Sequence, residues 1–199
     1  MMKKIIFATH NPGKIREMRD FLGEGFAVIT ASEAGILEDV VEDGKTFEEN
    51  ALKKARFVNS KTKEWSMADD SGLCVDALDG RPGIYSARWA GENATDDEIL
   101  SKLIDELKDV PQEKRTAVFN SAVALVSPDG KEYTFSGHIN GSIPELQVGV
   151  NNKKLPYDSI FIPEGQDKTF AEMTKEEKNS ISHRGIAFNK LKDFLKNTN

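Results

Sequence analysis

Three short segments of the chain combine residue types suited to an anionic substrate: Thr9-His-Asn-Pro-Gly-Lys14, Asp69-Asp70-Ser71-Gly72 and Ser182-His183-Arg184-Gly185. In the first, Thr9, His10, Asn11, Pro12, Gly13 and Lys14 follow a short β-type run and open a helix. Unpaired amides at a helix start, with the positive end of the helix and the Lys14 ammonium, can hold phosphate oxygens. An ordinary capped helix fits the same residues, and the Gly and Lys spacing of a P-loop is absent. In the second, consecutive carboxylates at a strand end repel one another unless a cation, solvent or hydrogen bonds compensate. Magnesium favours such oxygen donors and keeps waters while bridging polyphosphate. Asp70 is thus a candidate metal ligand, Ser71 a small donor and Glu42 a second ligand, with Glu48 or Glu49 as alternatives; an exposed acidic turn is the competing reading.

Two further cationic regions bear on the same chemistry. Lys54 lies in a helix with Glu48, Glu49, Lys53 and Arg56. It either faces solvent, where Glu49 and Lys53 have ion-pair spacing, or turns inward and leaves Lys53 outside. In the third segment Arg184 could grip a phosphate or a base carbonyl, and His183 could donate to either. Lys178 lies close in sequence, while Ser182 equally serves as a helix cap. His10, His138 and His183 have no zinc-ligand spacing. Trp89, Tyr85 and Phe161 could stack on a base, although aromatics beside β-type runs usually fill a core.

The elements that must position these residues read as mixed α/β. Residues 3–8 form a buried strand leading to a helix in which Asn11 caps, Pro12 opens and Ile15, Met18, Phe21 and Leu22 supply the apolar face. A strand at 26–29 and an acidic connection through Glu42 precede a helix opened by Thr46 and Glu49 and ending near residue 60. Short strands at 66–68 and 73–75 flank the acidic turn. Thr95 with Glu98 opens another helix, and 115–127 with 131–138 form a hairpin around Pro128-Asp129-Gly130. Ile160-Phe161-Ile162 is a further short strand; Thr174 with Glu177 forms a capping box, and a helix from Ser182 to Leu195 ends the chain.

The 199 residues suit one domain, 1–199, shaped as two lobes. A net charge of −6 disfavours a broad nucleic-acid or anionic-membrane surface. Lone Cys74 sits in an apolar run and reads as core. No apolar run is long enough for a signal peptide or membrane helix, so a cytoplasmic protein is expected.

In their order and spacing, the motifs Thr9–Lys14, Thr46-Phe-Glu-Glu-Asn-Ala51, Ala68–Gly72, Pro82-Gly-Ile-Tyr-Ser-Ala-Arg88 and Ser182–Gly185 closely resemble the inosine triphosphate pyrophosphatase family. That resemblance implies an elongated mixed β-sheet with helices, two lobes around a central nucleotide-binding cleft, and a homodimer. It implies magnesium-dependent hydrolysis of ITP, dITP or XTP to the monophosphate and pyrophosphate, cleansing the pool of nonstandard purines. By motif, Thr9 through Lys14 and Lys54 would contact the triphosphate, and Glu42 and Asp70 would serve the metal, with Asp70 also accepting a proton. Ser71, Lys178, His183 and Arg184 would contact the nucleotide, and Asp158 would help read the base. One segment departs: where the family has Gly-Phe-Gly-Tyr-Asp, this chain has Lys154, Leu155, Pro156, Tyr157 and Asp158. The approach through residues 148–153 departs too. Alternatives are a nucleotide-binding protein that has lost turnover and a metal-dependent phosphohydrolase with another nucleotide substrate.

Overall fold

Alternating helices and strands assemble a six-stranded mixed sheet in the order β2-β1-β3-β4-β5-β6. The computed structural model describes residues 3–9, 11–145 and 155–198, so His10 and residues 146–154 lie outside the described residues. The strands are β1 (Lys3–Phe7), β2 (Phe26–Thr30), β3 (Ser66–Val75), β4 (Thr116–Val126), β5 (Glu132–Ser142) and β6 (Ile162–Pro163). β1 runs parallel to both β2 and β3, with Ile5 opposite Val28 and Ile6 opposite Ser66; β5 and β6 are antiparallel. The helices are α1 (Pro12–Leu22), α2 (Phe47–Thr62), α3 (Asp96–Leu107), α4 (Lys175–Ile181) and α5 (His183–Asn197). Among the described residues no helix is long and apolar enough to cross a membrane.

The chain folds into two compact units. The first contains residues 1–70, 121–136 and 186–199. Ile5, Phe7, Met18, Met67, Leu125 and Phe188 fill its core, and Ala51, Ala55, Ala68 and Ala124 let α2 approach the sheet closely. The second contains residues 71–120 and 137–185 and packs Leu73, Leu103, Leu107, Phe119, Phe161 and Phe170.

Helix starts follow their local chemistry. Thr95 with Glu98 and Thr174 with Glu177 form complete capping boxes. At α2 only half of the box forms: Thr46 caps the Glu49 N–H, while the Glu49 carboxylate takes the N–H of Lys45. The hairpin turn expected at 128–130 is present, with the Ser127 N–H donating to the Lys131 carbonyl at 2.9 Å.

Two expectations are corrected. The acidic segment is not a turn between short strands: residues 66–75 are one continuous strand, with Asp69, Asp70 and Gly72 inside it. The run Ile160-Phe161-Ile162 is not a strand either; β6 is the pair Ile162–Pro163, while Ile160 and Phe161 are buried in the second core. The physical reason is shared. Apolar burial on both sides carries β3 through its polar residues, and packing of the Phe161 ring outweighs strand propensity.

Candidate active site

The first unit gathers the phosphate- and metal-compatible residues around β3. Asp69 and Asp70 are 1% and 7% exposed, which rules out the exposed acidic turn. Lys14, near the start of α1, places its ammonium 2.8 Å from Asp69 Oδ2. Lys54 donates to Glu42 Oε1 and to the Asp69 carbonyl, both at 2.8 Å. The inward alternative is therefore the one realised: Lys53 stays outside, where it pairs with Asp43. Glu48 and Glu49 are exposed, leaving Glu42 as the carboxylate beside Lys54.

Electrostatics of this cluster are tightly opposed. Burial, the largest influence, pushes the Asp70 pKa up, and Glu42 adds to the rise; Lys54, the Asn50 amide and Lys14 act against it without cancelling it. For Lys54, burial alone would lower the pKa, but Asp70, Glu42 and Asp69 together hold the ammonium above its ordinary value of 10.5. Among the described residues no group of three His, Cys, Asp or Glu forms a ready-made metal cage. Magnesium asks for less, because it is commonly held by one or two carboxylates with waters and substrate phosphates. Glu42 and Asp70 are the two carboxylates of this cluster that could hold it in that way.

At the start of α1 the ordinary capped helix is the alternative realised. Asn11 Oδ1 accepts from the N–H groups of Gly13, at 2.8 Å, and Lys14, at 3.4 Å, and Thr9 Oγ1 accepts from the Asn11 N–H. Those helix-start amides are capped instead of open, since the Asx cap satisfies them locally. Among the described residues of this segment, the Thr9 and Lys14 side chains line a pocket of about 240 Å³ with Glu42, Lys54, Glu38 and Asp39. Pro12 opens α1 as expected.

The second unit gathers the remaining candidates. His183 is 2% exposed and lies flat on the Phe119 ring, 4.5 Å between centroids at an interplanar angle of 5°, with Phe170 tilted beside it. Arg184 Nη2 donates to Ser71 Oγ at 3.1 Å. Ser182 caps the start of α5 through its Oγ, which accepts from the Gly185 N–H. Gly185 has to be glycine, because a Cβ there would run into the carbonyl of Asn179. Lys178 donates to Asp158 Oδ2 at 2.5 Å, both side chains being nearly buried. Removing Lys178 takes its ion-pair partner from the buried Asp158 carboxylate. Lys178→Met is expected to cost about 3–5 kcal/mol of stability, read by chemical denaturation; a loss under about 1 kcal/mol would make the pair equivalent to a surface bridge.

Leu155 and Pro156 are half-buried at the start of a short 3-10 turn through Ser159. Tyr157 is core: its hydroxyl donates to the Ser86 carbonyl at 2.9 Å, and burial pushes its pKa up. Phe161 is fully buried and belongs to the core, not to a stacking surface. Trp89 is flanked by the Lys102 ammonium at 4.4 Å and by Arg81, and exposed Tyr85 carries Arg88 over its ring. Sequence reasoning missed the Phe119 platform beneath His183, a contact between residues far apart in the chain. It also left Asn50 without a role, although this amide lies one helical turn from Lys54 on α2.

The matches to known proteins follow the same elements. Residues 5–194 match the Ham1 family. The chain belongs to the Ham1 family. The resemblance read from the motifs is thereby borne out. Relatives include the dITP/XTP pyrophosphatase of Geobacter sulfurreducens, 48% identical with 98% of this chain and 97% of that protein covered. Another is the dITP/XTP pyrophosphatase of Bacillus subtilis, 45% identical with 98% of each covered. Among solved structures, the Ham1 protein of Staphylococcus aureus is similar at a TM-score of 0.88 and 40% identity, covering 98% of this chain and 99% of that one. The HAM1 protein of Coxiella burnetii reaches 0.89 at 36% identity, covering 99% and 100%. The mixed α/β architecture is thus the Ham1 fold.

Proposed function

We propose that this chain hydrolyses nonstandard purine nucleoside triphosphates (ITP, dITP and XTP) to the monophosphate and pyrophosphate, with magnesium. The observation that carries the chemistry is the buried cluster in which Lys14 and Lys54 face Asp69, Asp70 and Glu42 beside a pocket that Thr9, Glu38 and Asp39 also line. At about 240 Å³ that pocket suits a polyphosphate end better than a whole nucleotide, since pockets for drug-sized ligands run about 300–1,000 Å³. The relatives' names supply the substrate class.

The side chains divide the work. Lys14 and Lys54 neutralise the triphosphate, and Thr9 donates to its oxygens. Asp70 orients a water against the α-phosphorus and takes its proton as the new P–O bond forms and the bond to the β-phosphate oxygen breaks. A buried carboxylate with a raised pKa is better suited to that task than an exposed one. Glu42 and Asp70 would hold magnesium, which when bound neutralises phosphate charge as a Lewis acid. Lys178, His183 and Arg184 offer donors to the nucleoside end. A donor at the six-position carbonyl accepts hypoxanthine or xanthine and leaves an adenine amino group unpaired.

The deciding assay is product analysis. Purified protein with magnesium and ITP is expected to yield IMP and pyrophosphate. IDP with orthophosphate would reject the cleavage position, and tight binding without products would favour the binding-protein alternative. We take a homodimer as the state in solution, to be checked by native mass.

Base discrimination is the point at which this chain should differ from its family. Leu155 cannot stack as Phe does, and Pro156 fixes φ and removes a donor. A stacked base is worth about 1–3 kcal/mol, so the double variant Leu155→Phe/Pro156→Gly is expected to lower KM for ITP about fivefold to hundredfold, and to widen the preference for ITP and XTP over ATP and GTP. Unchanged affinity and discrimination in the four-nucleotide comparison would sink this expectation.

A further inference from the structure

Asn50 is fully buried on α2 with Ala51 and Ala55, one turn ahead of Lys54. Its amide is engaged at both ends. The Gly44 N–H donates to Asn50 Oδ1 at 2.8 Å, and Asn50 Nδ2 donates to Asp70 Oδ2 at 3.0 Å. Chemistry assigns the two ends: a backbone N–H can only donate, so the oxygen must face Gly44 and the NH₂ is left for the carboxylate. Gly44 lies two residues beyond Glu42 in the acidic connection. A Cβ at position 44 would lie 2.6 Å from Asn50 Oδ1 and 2.9 Å from Glu49 Cβ, so the connection reaches Asn50 because residue 44 has no side chain.

We propose that Asn50 is a positioning residue: one rigid amide that holds the Asp70 carboxylate and the Glu42-bearing connection in a common geometry. The proposal rests on the pyrophosphatase reading for the reaction it serves. Its physical basis is that both carboxylates sit on separately folded segments, a strand and a loop. Each would otherwise set its own distance to a shared cation. Because the amide is buried on a helix, its rotamer is locked by packing, and it can pass that rigidity to both. Neighbours that orient ligating carboxylates characteristically matter nearly as much as the ligands themselves.

Two variants separate the halves. Asn50→Asp keeps an acceptor for Gly44 but replaces the donor to Asp70; Gly44→Ala keeps the amide but drives a Cβ against its Oδ1 and so strains the link to the connection. Each should be measured for kcat and KM on ITP, for Mn²⁺ affinity by calorimetry without nucleotide, and for melting temperature. Either variant is expected to lower kcat about tenfold to hundredfold with KM changed far less, and Gly44→Ala to weaken Mn²⁺ about tenfold. A fall in melting temperature with kcat and Mn²⁺ affinity intact in both variants would overturn the proposal, because the amide would then be a structural bond only. If Asn50→Asp does not fold, Gly44→Ala decides by the same criterion. Failure of the unaltered protein to release IMP and pyrophosphate would instead strike the functional reading, and the Mn²⁺ measurement would still judge Asn50.

Discussion

Asp70→Asn is expected to lower kcat on ITP by about 10²–10⁴-fold, the range that a positioned acid or base contributes, with KM little changed. The amide is nearly isosteric, and its oxygen can still accept from Asn50 Nδ2, so the loss falls on proton acceptance and not on the fold. Stability should move the other way. Burial raises the Asp70 pKa above 3.8, so the ionised group is less favourable in the folded protein than in the unfolded chain. By linkage, this carboxylate removes stability as pH rises from 3.8 through its raised folded value, and the deficit is complete above that value. Metal-free Asp70→Asn should therefore melt higher than the unaltered protein at neutral pH. That advantage should shrink on acidification and vanish below 3.8, where Asp70 is protonated in both the folded and the unfolded chain. Normal turnover by the variant would remove Asp70 from the essential chemistry. An advantage that grew on acidification would contradict its burial as the dominant influence.

Lys54→Met is expected to abolish most turnover and to cost about 3–5 kcal/mol in the absence of divalent metal, the usual penalty for breaking a buried ion pair from one side. The Lys54 side chain is 14% exposed and faces Glu42, the Asp69 carbonyl and the field of Asp70. An apolar side chain there removes from Glu42, Asp69 and Asp70 the ammonium that all three attract. Magnesium should restore part of the lost stability by supplying the charge. Denaturant titrations in chelator and in magnesium would test both parts. Lys53→Met provides the contrast: its partner Asp43 is 69% exposed, and such pairs contribute about 0–1 kcal/mol. Equal losses from the two lysine variants would show that Lys54 is an ordinary surface charge.

Much of this site was legible because its signals are local. Asn11 before Pro12, Thr95 with Glu98 and Thr174 with Glu177 act within one helical turn, and the structure realises each as written. The hairpin at Pro128-Asp129-Gly130 is equally local. The motifs carried the family because their residues and order survive in the chain itself. The same local logic misread β3, where Asp-Asp-Ser-Gly has the composition of a turn. Burial of Met67, Ala68, Leu73 and Val75 from both sides keeps the strand continuous, and no short window contains that information.

By itself, then, the sequence determined the helix caps, the strand and helix periodicities, and which residue types were available for phosphate and metal chemistry. Tertiary structure alone decided which of those residues meet. It turned Lys54 inward and Lys53 outward, laid His183 on Phe119, and set Asn50 between Gly44 and Asp70. The reason is physical: capping and periodicity are fixed by neighbours a few residues apart. The direction of a charged or polar side chain depends on burial and on partners that only the folded chain brings within hydrogen-bonding distance.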